Sequence, residues 1–270
     1  MANRHGDFIW YELMTSAPDA AQEFYSRLIG WTFTNSDATD TDYRHFSSAI
    51  SDVGGVLPLT SEMTDGGARP AWVGYVGVQD VDASVAAIQA AGGSLHMEPW
   101  DIPGVGRIAF VADPQGAMFY VMTPIPPEGQ PDAESRSFAA MEPMEGHCAW
   151  NELASSDPAS AKAFYGKQFG WVQDGDMDMG DLGKYEFWKV GDDRGHMIGA
   201  VMPLMPGMPM SAWTFYFRVP DIDAAVEYTK ANGGTPLQEP TEIPGGEFSF
   251  TGIDPQGAGF GLVGPRKGSE

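Results

Sequence analysis

Two glutamates stand out because each occupies the same short context, Trp10-Tyr-Glu12-Leu and Trp150-Asn-Glu152-Leu. Such runs read as strands, on which residues i and i+2 share a face. A carboxyl group on an apolar face has its charged form disfavoured, which raises its pKa and suits it to general-base work. The same placement also serves a purely structural purpose, with each carboxylate satisfied by a tyrosine or a backbone N–H. The run Trp213-Thr-Phe-Tyr-Phe-Arg-Val219 alternates in the same way. Its apolar row (Trp213, Phe215, Phe217, Val219) is expected under helices, and its polar row (Thr214, Tyr216, Arg218) in a cleft. Arg218 either anchors an anionic group bidentately or neutralises Glu152. An earlier run supplies Val73, Tyr75 and Gly77 at equivalent positions, and a nearby strand supplies Met118, Tyr120 and Met122. The catalytic candidates are therefore Glu152 and Glu12. The ligand-binding candidates are Trp150, Thr214, Tyr216, Arg218, Trp10, Tyr75 and Tyr120. Gly259 and Gly261 on the last strand suggest that the later cleft is the roomier.

The five histidines form no shared ligand pattern. His5 lies near the start, His96 and His147 beside strand ends, and His45 and His196 in strands at non-matching positions. Surface or structural roles are expected for them, with a site combining Glu12 and His45 left open. The single cysteine, Cys148, excludes an intrachain disulfide and a cysteine metal cluster, and is not expected to be a nucleophile. A reducing, cytoplasmic setting fits that usage.

The elements that must position these residues occur twice. Trp10 and Trp150, Phe24 and Phe164, and Gly30 and Gly170 each lie 140 residues apart, and Trp72 and Trp213 lie 141 apart. The turn Asp113-Pro-Gln-Gly likewise returns as Asp254-Pro-Gln-Gly. So ordered a match is a duplication. The Pro-rich stretch after Pro124 reads as a linker, dividing the chain into 1–123, a linker at 124–144, and 145–270. Within each copy, Pro18 and Pro158 open helices at a tolerated position, and Ala21, Phe24, Tyr25 and Leu28 follow at helical spacing. Asp157 and Asp80 are expected N-caps, and Gly92-Gly93 closes the second helix. Each copy reads as two βαβββ units.

With 43% hydrophobic residues the chain is expected to fold, and no apolar run is long enough for a transmembrane helix. The first residues lack the pattern of a secretory signal. A net charge of −22 argues against nucleic-acid and anionic-membrane partners. A small-molecule ligand is the expected partner.

The Phe-Tyr helix, the following Gly-Trp and the Asp-Pro-Gln-Gly turn before a last strand resemble the vicinal oxygen chelate superfamily. That superfamily includes glyoxalase I, extradiol dioxygenases and bleomycin-resistance proteins. Repetition of these motifs, with Trp-x-Glu-Leu, is similar to a tandem two-domain glyoxalase-like subgroup that includes a mycobacterial secreted antigen. The resemblance implies an α+β fold: tandem domains, each of two βαβββ units forming a curved open-barrel sheet with helices outside. It leaves open whether the domains pair within one chain as a monomer or also form a homodimer. It further implies a cleft holding a divalent metal. The ligand positions fall on Trp10 or Trp150, near Val73 or Thr214, in 56–59 or 201–204, and on Tyr120 or Gly261. These residues make no ligand set for a hard or borderline ion, so no metal and no cofactor is expected. The function implied is binding of a small organic metabolite in a cleft lacking the family's ligands. The alternative is a glyoxalase-like lyase or isomerase, or another enzyme of the superfamily, using a cleft glutamate as general base, with Tyr216 or Arg218 stabilising an oxyanion.

Overall fold

The computed structural model describes residues 3–36, 41–139, 142–191 and 195–267. Residues 140–141 of the Pro-rich stretch and 268–270 at the end of the second repeat lie outside the described residues. The first repeat runs β1 (Phe8–Thr15), α1 (Pro18–Leu28), β2 (Thr32–Asn35), β3 (Arg44–Ser47), β4 (Asp52–Pro58) and a short α2 (Ser61–Asp65). It continues with β5 (Ala71–Gly77), α3 (Val81–Ala90), β6 (Ser94–Ile102), β7 (Gly106–Ala112) and β8 (Met118–Pro124). The second repeat runs β9 (Cys148–Ser155), α4 (Pro158–Phe169), β10 (Trp171–Asp178), β11 (Lys184–Val190), β12 (Met197–Pro203) and β13 (Ala212–Arg218). After it come α5 (Ile222–Ala231), β14 (Thr235–Pro236), β15 (Thr241–Glu242), β16 (Phe248–Ile253) and β17 (Gly259–Gly264). The pattern is βαβββ twice per repeat, in an α+β fold. The extra turn of α2 arises because Thr60 accepts the Met63 backbone N–H and starts a helix where only a connection was expected.

The strands make one eight-stranded and one nine-stranded mixed sheet, and neither closes into a barrel. The first contains the runs β2-β3-β4-β1 and β5-β8-β7-β6, and the second contains β10-β11-β12-β9 and β13-β17-β16-β14, with β15 on β16. In each run the one parallel pairing joins the first strand of a unit to its last, as in β1 with β4 and β13 with β17. The intervening helix supplies the crossover that a parallel pair requires.

By contact, the chain divides into two compact units, each drawing on both repeats. One comprises Met1–Ile9, Gly74–Ser135 and Asn151–Trp213, and the other comprises Trp10–Val73, Arg136–Trp150 and Thr214–Glu270. In the first unit α3 packs with α4, and Tyr165 lies flat on Trp171 at 5.2 Å between ring centroids. In the second unit α1 packs with α5, Trp31 stacks on Phe46 at 4.1 Å, and Trp72 meets Phe217 at 4.8 Å. The expected apolar row of β13 is buried, with Phe217 fully so. Each such side chain contributes roughly 1.5–3 kcal/mol by leaving water. Among the described residues no helix is long and apolar enough to cross a membrane.

Candidate functional site

Within the second unit, Glu12 on β1 pairs with Gly55 on β4, and Gly55 pairs in turn with His45 on β3. Residues in such a row project to one face. Glu12 is 2% exposed, whereas His45 and Tyr43 are half-buried. Glycine is required at 55, because a Cβ there would collide with the Tyr43 hydroxyl and ring. The Trp10 indole N–H donates to the Tyr43 hydroxyl at 3.0 Å, and the edges of Trp10 and Tyr43 face the His45 ring, each at 5.6 Å.

The second repeat repeats this row with two changes. Glu152 pairs with Ala200, and Ala200 with Phe187, so phenylalanine stands where the first repeat has histidine. The Tyr185 hydroxyl donates to Glu152 Oε2 at 2.7 Å. That is the tyrosine partner foreseen for a structural carboxylate, and Tyr185 itself escaped notice because its offset from Tyr43 is 142 residues rather than 140.

Tyr75 and Tyr120 are brought together in the first unit. They face one another across β5 and β8 and stack at 4.3 Å with a 19° tilt. Phe110 continues the row on β7, 4.6 Å from Tyr120, and Trp100 on β6 presents an edge at 6.4 Å. Phe110 and Trp100 remain half-buried, while Tyr75 and Tyr120 are 5% and 2% exposed. Sequence alternation marks Phe110 and Trp100 as strand residues, but β-bulges between Leu95 and Trp100 obscure which face they take.

The β13 row of the second unit departs from expectation. Tyr216 pairs with Gly261, as Tyr75 does with Tyr120, and the missing side chain leaves no void. The Tyr216 ring lies over the glycine, 2.7 Å from where a Cβ would stand, so the expected space is taken by tyrosine. Gly259 does have open space above it. Arg218 has a carboxylate partner, and it is Glu247, from the loop before β16, gripped through both terminal nitrogens. Thr214 and Trp150 are half-buried. The Cys148 Sγ–H donates to the Trp150 carbonyl at 3.2 Å, and burial pushes this thiol up to about 12, out of the nucleophile range.

The repeated turns have partners that the sequence did not disclose. The Asp113 carboxylate caps its own turn by accepting the Gln115 and Ala117 N–H groups, and its other oxygen accepts the Tyr165 hydroxyl at 3.2 Å. Trp213 Nε1–H donates to that same hydroxyl at 3.2 Å. In the second unit Asp254, Tyr25 and Trp72 repeat the chain at 3.0 and 3.1 Å. A tyrosine from one repeat thus meets the aspartate of the other, twice. Burial raises both aspartates above the ordinary carboxylate range and both tyrosines well above theirs.

Of the remaining histidines, His96 is exposed beside the Ser94 hydroxyl and three others are tied down. His147 is buried between the Arg136 carbonyl and the Ser48 hydroxyl, with burial lowering its pKa. His196 lies 3.3 Å from Asp7. His5, expected at a frayed end, bonds the Gln168 carbonyl at 2.7 Å. Among the described residues no group of three or more His, Cys, Asp or Glu side chains is placed to hold a metal ion.

The family model described as "Glyoxalase/Bleomycin resistance protein/Dioxygenase superfamily" matches residues 8–121 and again 146–262. A Mycobacterium tuberculosis protein named "Putative glyoxylase CFP32" is 32% identical over 265 residues, covering 97% of this chain and 96% of that one. The "Anthracycline biosynthesis protein DnrV" of Streptomyces peucetius is 31% identical over 271 residues, covering 96% and 93%. In structure, the chain is similar to the Mn(II)-bound glyoxalase of Novosphingobium aromaticivorans, with a TM-score of 0.63, 18% identity, and 98% and 83% coverage. It is also similar to the 2,3-dioxygenase LapB of Pseudomonas sp. KL28, with a TM-score of 0.60, 13% identity, and 99% and 94% coverage. Two full-length repeats of one family model, with relatives aligned end to end, establish that the chain belongs to the glyoxalase/bleomycin resistance protein/dioxygenase superfamily.

Proposed function

We propose that the chain binds a small, flat organic molecule without the metal ion associated with its superfamily. The observation that carries this reading is the aromatic row Tyr75, Tyr120, Phe110, flanked by Trp100, where Tyr120 falls on one of the positions at which the resemblance implies a metal ligand. Tyr75 and Tyr120 are buried within this row, and the half-buried rings of Phe110 and Trp100 offer dispersion and stacking to a planar partner and little to a hydrated cation. The other ligand positions point the same way. The Trp10 indole has no lone pair to give and spends its N–H on Tyr43, Val73 is apolar, and Gly261 has no side chain. These residues do not fit the ion, and no step is assigned to it. The relatives named for anthracycline biosynthesis support a flat polycycle as the ligand class.

The test is a fluorescence titration of the full chain with 1,4-dihydroxyanthraquinone, a flat probe, alongside the glutathione–methylglyoxal hemithioacetal. Saturable binding of the probe that weakens about three- to tenfold in Phe110→Ala is expected, since the loss of one half-buried aromatic contact is worth roughly 0.5–1.5 kcal/mol. Binding of the hemithioacetal alone, dependent on added divalent metal, would overturn the reading.

One observation favours a second reading. The Tyr185–Glu152 bond, at 2.7 Å, holds a half-buried carboxylate in a fixed orientation, as a general base requires. On that reading Glu152→Gln abolishes turnover of whatever substrate is found and leaves its binding intact.

A further inference from the structure

The connection between β12 and β13 is built differently from its counterpart in the first repeat. Between β4 and β5 the chain runs Pro58-Leu-Thr-Ser-Glu-Met63 and forms the short helix α2. Between β12 and β13 it reads Met202-Pro-Leu-Met205-Pro-Gly-Met208-Pro-Met210 and forms no helix. Within residues 202–210 the methionine sulfurs are the only side-chain atoms with a lone pair to give, since proline, leucine and glycine side chains have none.

We propose that this strap binds one soft monovalent metal ion, copper(I), through the thioether sulfurs of Met205, Met208 and Met210. The site lies beyond the small-molecule reading above and stands without it.

The backbone gathers the donors. The segment Met205-Pro206-Gly207-Met208 is a tight turn, closed by the Met208 N–H on the Met205 carbonyl at 3.0 Å. Proline at its second place and glycine at its third, with a φ of +91°, are what a type II turn demands. The ends of such a turn lie within about 7 Å, Cα to Cα, so the Met205 and Met208 side chains start as neighbours. Pro209 keeps Met208 extended, and only that proline separates it from Met210, whose unbranched side chain turns freely about three bonds. Prolines at 203, 206 and 209 fix their own φ angles and so reduce the entropy lost when the sulfurs converge. Both ends of the strap are anchored. The Leu204 N–H donates to the Ser155 carbonyl at 3.1 Å, and the Ser211 hydroxyl accepts the Ser156 N–H at 3.0 Å.

Met205 and Met208 are half-buried and Met210 is 51% exposed, so an ion reaches the strap directly from solvent. The tip of the β10–β11 hairpin, which carries Asp178 and Asp181, abuts its base, where a Cβ on Gly183 would stand 3.1 Å from Pro203. Those acids draw a cation toward the strap. Uncharged thioethers are soft donors that suit copper(I), whereas zinc and iron call for thiolate, imidazole or carboxylate ligands that 202–210 does not contain. A thioether has no proton to release, and the ion enters and stays as copper(I), so binding moves neither protons nor electrons.

The experiment titrates the full chain with copper(I), under ascorbate and without oxygen, against bicinchoninate, whose copper(I) complex is coloured. The wild type is expected to withhold one equivalent from the chelator. Its affinity, corrected for protonation of the chelator, should stay level from about pH 8 to about pH 6, where a histidine or thiolate site would weaken. Met205→Leu combined with Met208→Leu nearly conserves volume and should weaken binding at least about tenfold. Met210→Leu, at an exposed position where the fold is not at stake, should weaken it as well. Met97→Leu, at a methionine 40% exposed on β6, should leave the affinity unchanged. Copper surrendered entirely to the chelator, copper held equally by the wild type and Met210→Leu, or an affinity that falls in acid overturns the proposal.

Discussion

Replacing Tyr165 by phenylalanine probes the network that joins the repeats in the first unit. The hydroxyl is fully buried, donates to Asp113 Oδ2 at 3.2 Å and accepts the Trp213 indole N–H at 3.2 Å. The substitution deletes one hydrogen bond to a carboxyl group and strands a buried indole N–H. Each loss costs about 1–3 kcal/mol, so the total expected is about 2–6 kcal/mol. The cost should also depend on pH in a definite direction. Burial raises the Asp113 pKa above its unfolded value, so protonation favours the fold and stability falls as pH rises through the raised value. The Tyr165 bond opposes that shift by favouring the carboxylate. Removing it raises the aspartate further, so the penalty must be larger at neutral pH than in acid, where the raised carboxyl is protonated in both forms. Urea unfolding followed by tryptophan emission at about pH 4 and about pH 7 reads both quantities. A loss under about 0.5 kcal/mol, or a loss that shrinks as pH rises, would refute the reasoning.

Gly261→Ala places a methyl group 2.7 Å from the Tyr216 ring and should destabilise the chain by about 1–3 kcal/mol, seen as a lower Tm with an altered near-ultraviolet tyrosine signal. Cys148, buried and with its thiol pushed up to about 12, should resist iodoacetamide at about pH 8 in the native chain and react within minutes once unfolded, as read by mass spectrometry. Glu247→Gln removes the charge facing Arg218, a pair with side chains 31% and 12% exposed, and should cost about 1 kcal/mol with a weaker response of stability to salt than in the wild type.

The architecture was readable because its signals are local and doubled. Pro18 and Pro158, the aspartate caps at 80 and 157, and the glycine pair at 92–93 punctuate the chain where elements begin and end. The alternation in 213–219 marks the row that packing buries. Partners distant in sequence were another matter. Nothing in Asp-Pro-Gln-Gly says that its aspartate accepts a tyrosine of the opposite repeat, because the turn alone accounts for every residue type in it. Arg218 invited pairing with the nearest conspicuous carboxylate, whereas Glu247 reaches it from a loop with no periodicity to mark it. Glycine at 261 looked like emptiness, and only packing reveals a neighbouring ring in that place. His45 stood apart because it has no histidine counterpart, and its relation to Phe187 emerges only from strand register.

The crossed tyrosine–aspartate contacts bind the two copies to a common fate. Tyr25 answers to Asp254 and Tyr165 to Asp113, so a change in either copy must be matched more than fifty positions away along the chain. Severing the connector would release fragments that each carry a phenol and a carboxylate made for the other. Such fragments should find one another when mixed, and neither should be expected to stand by itself.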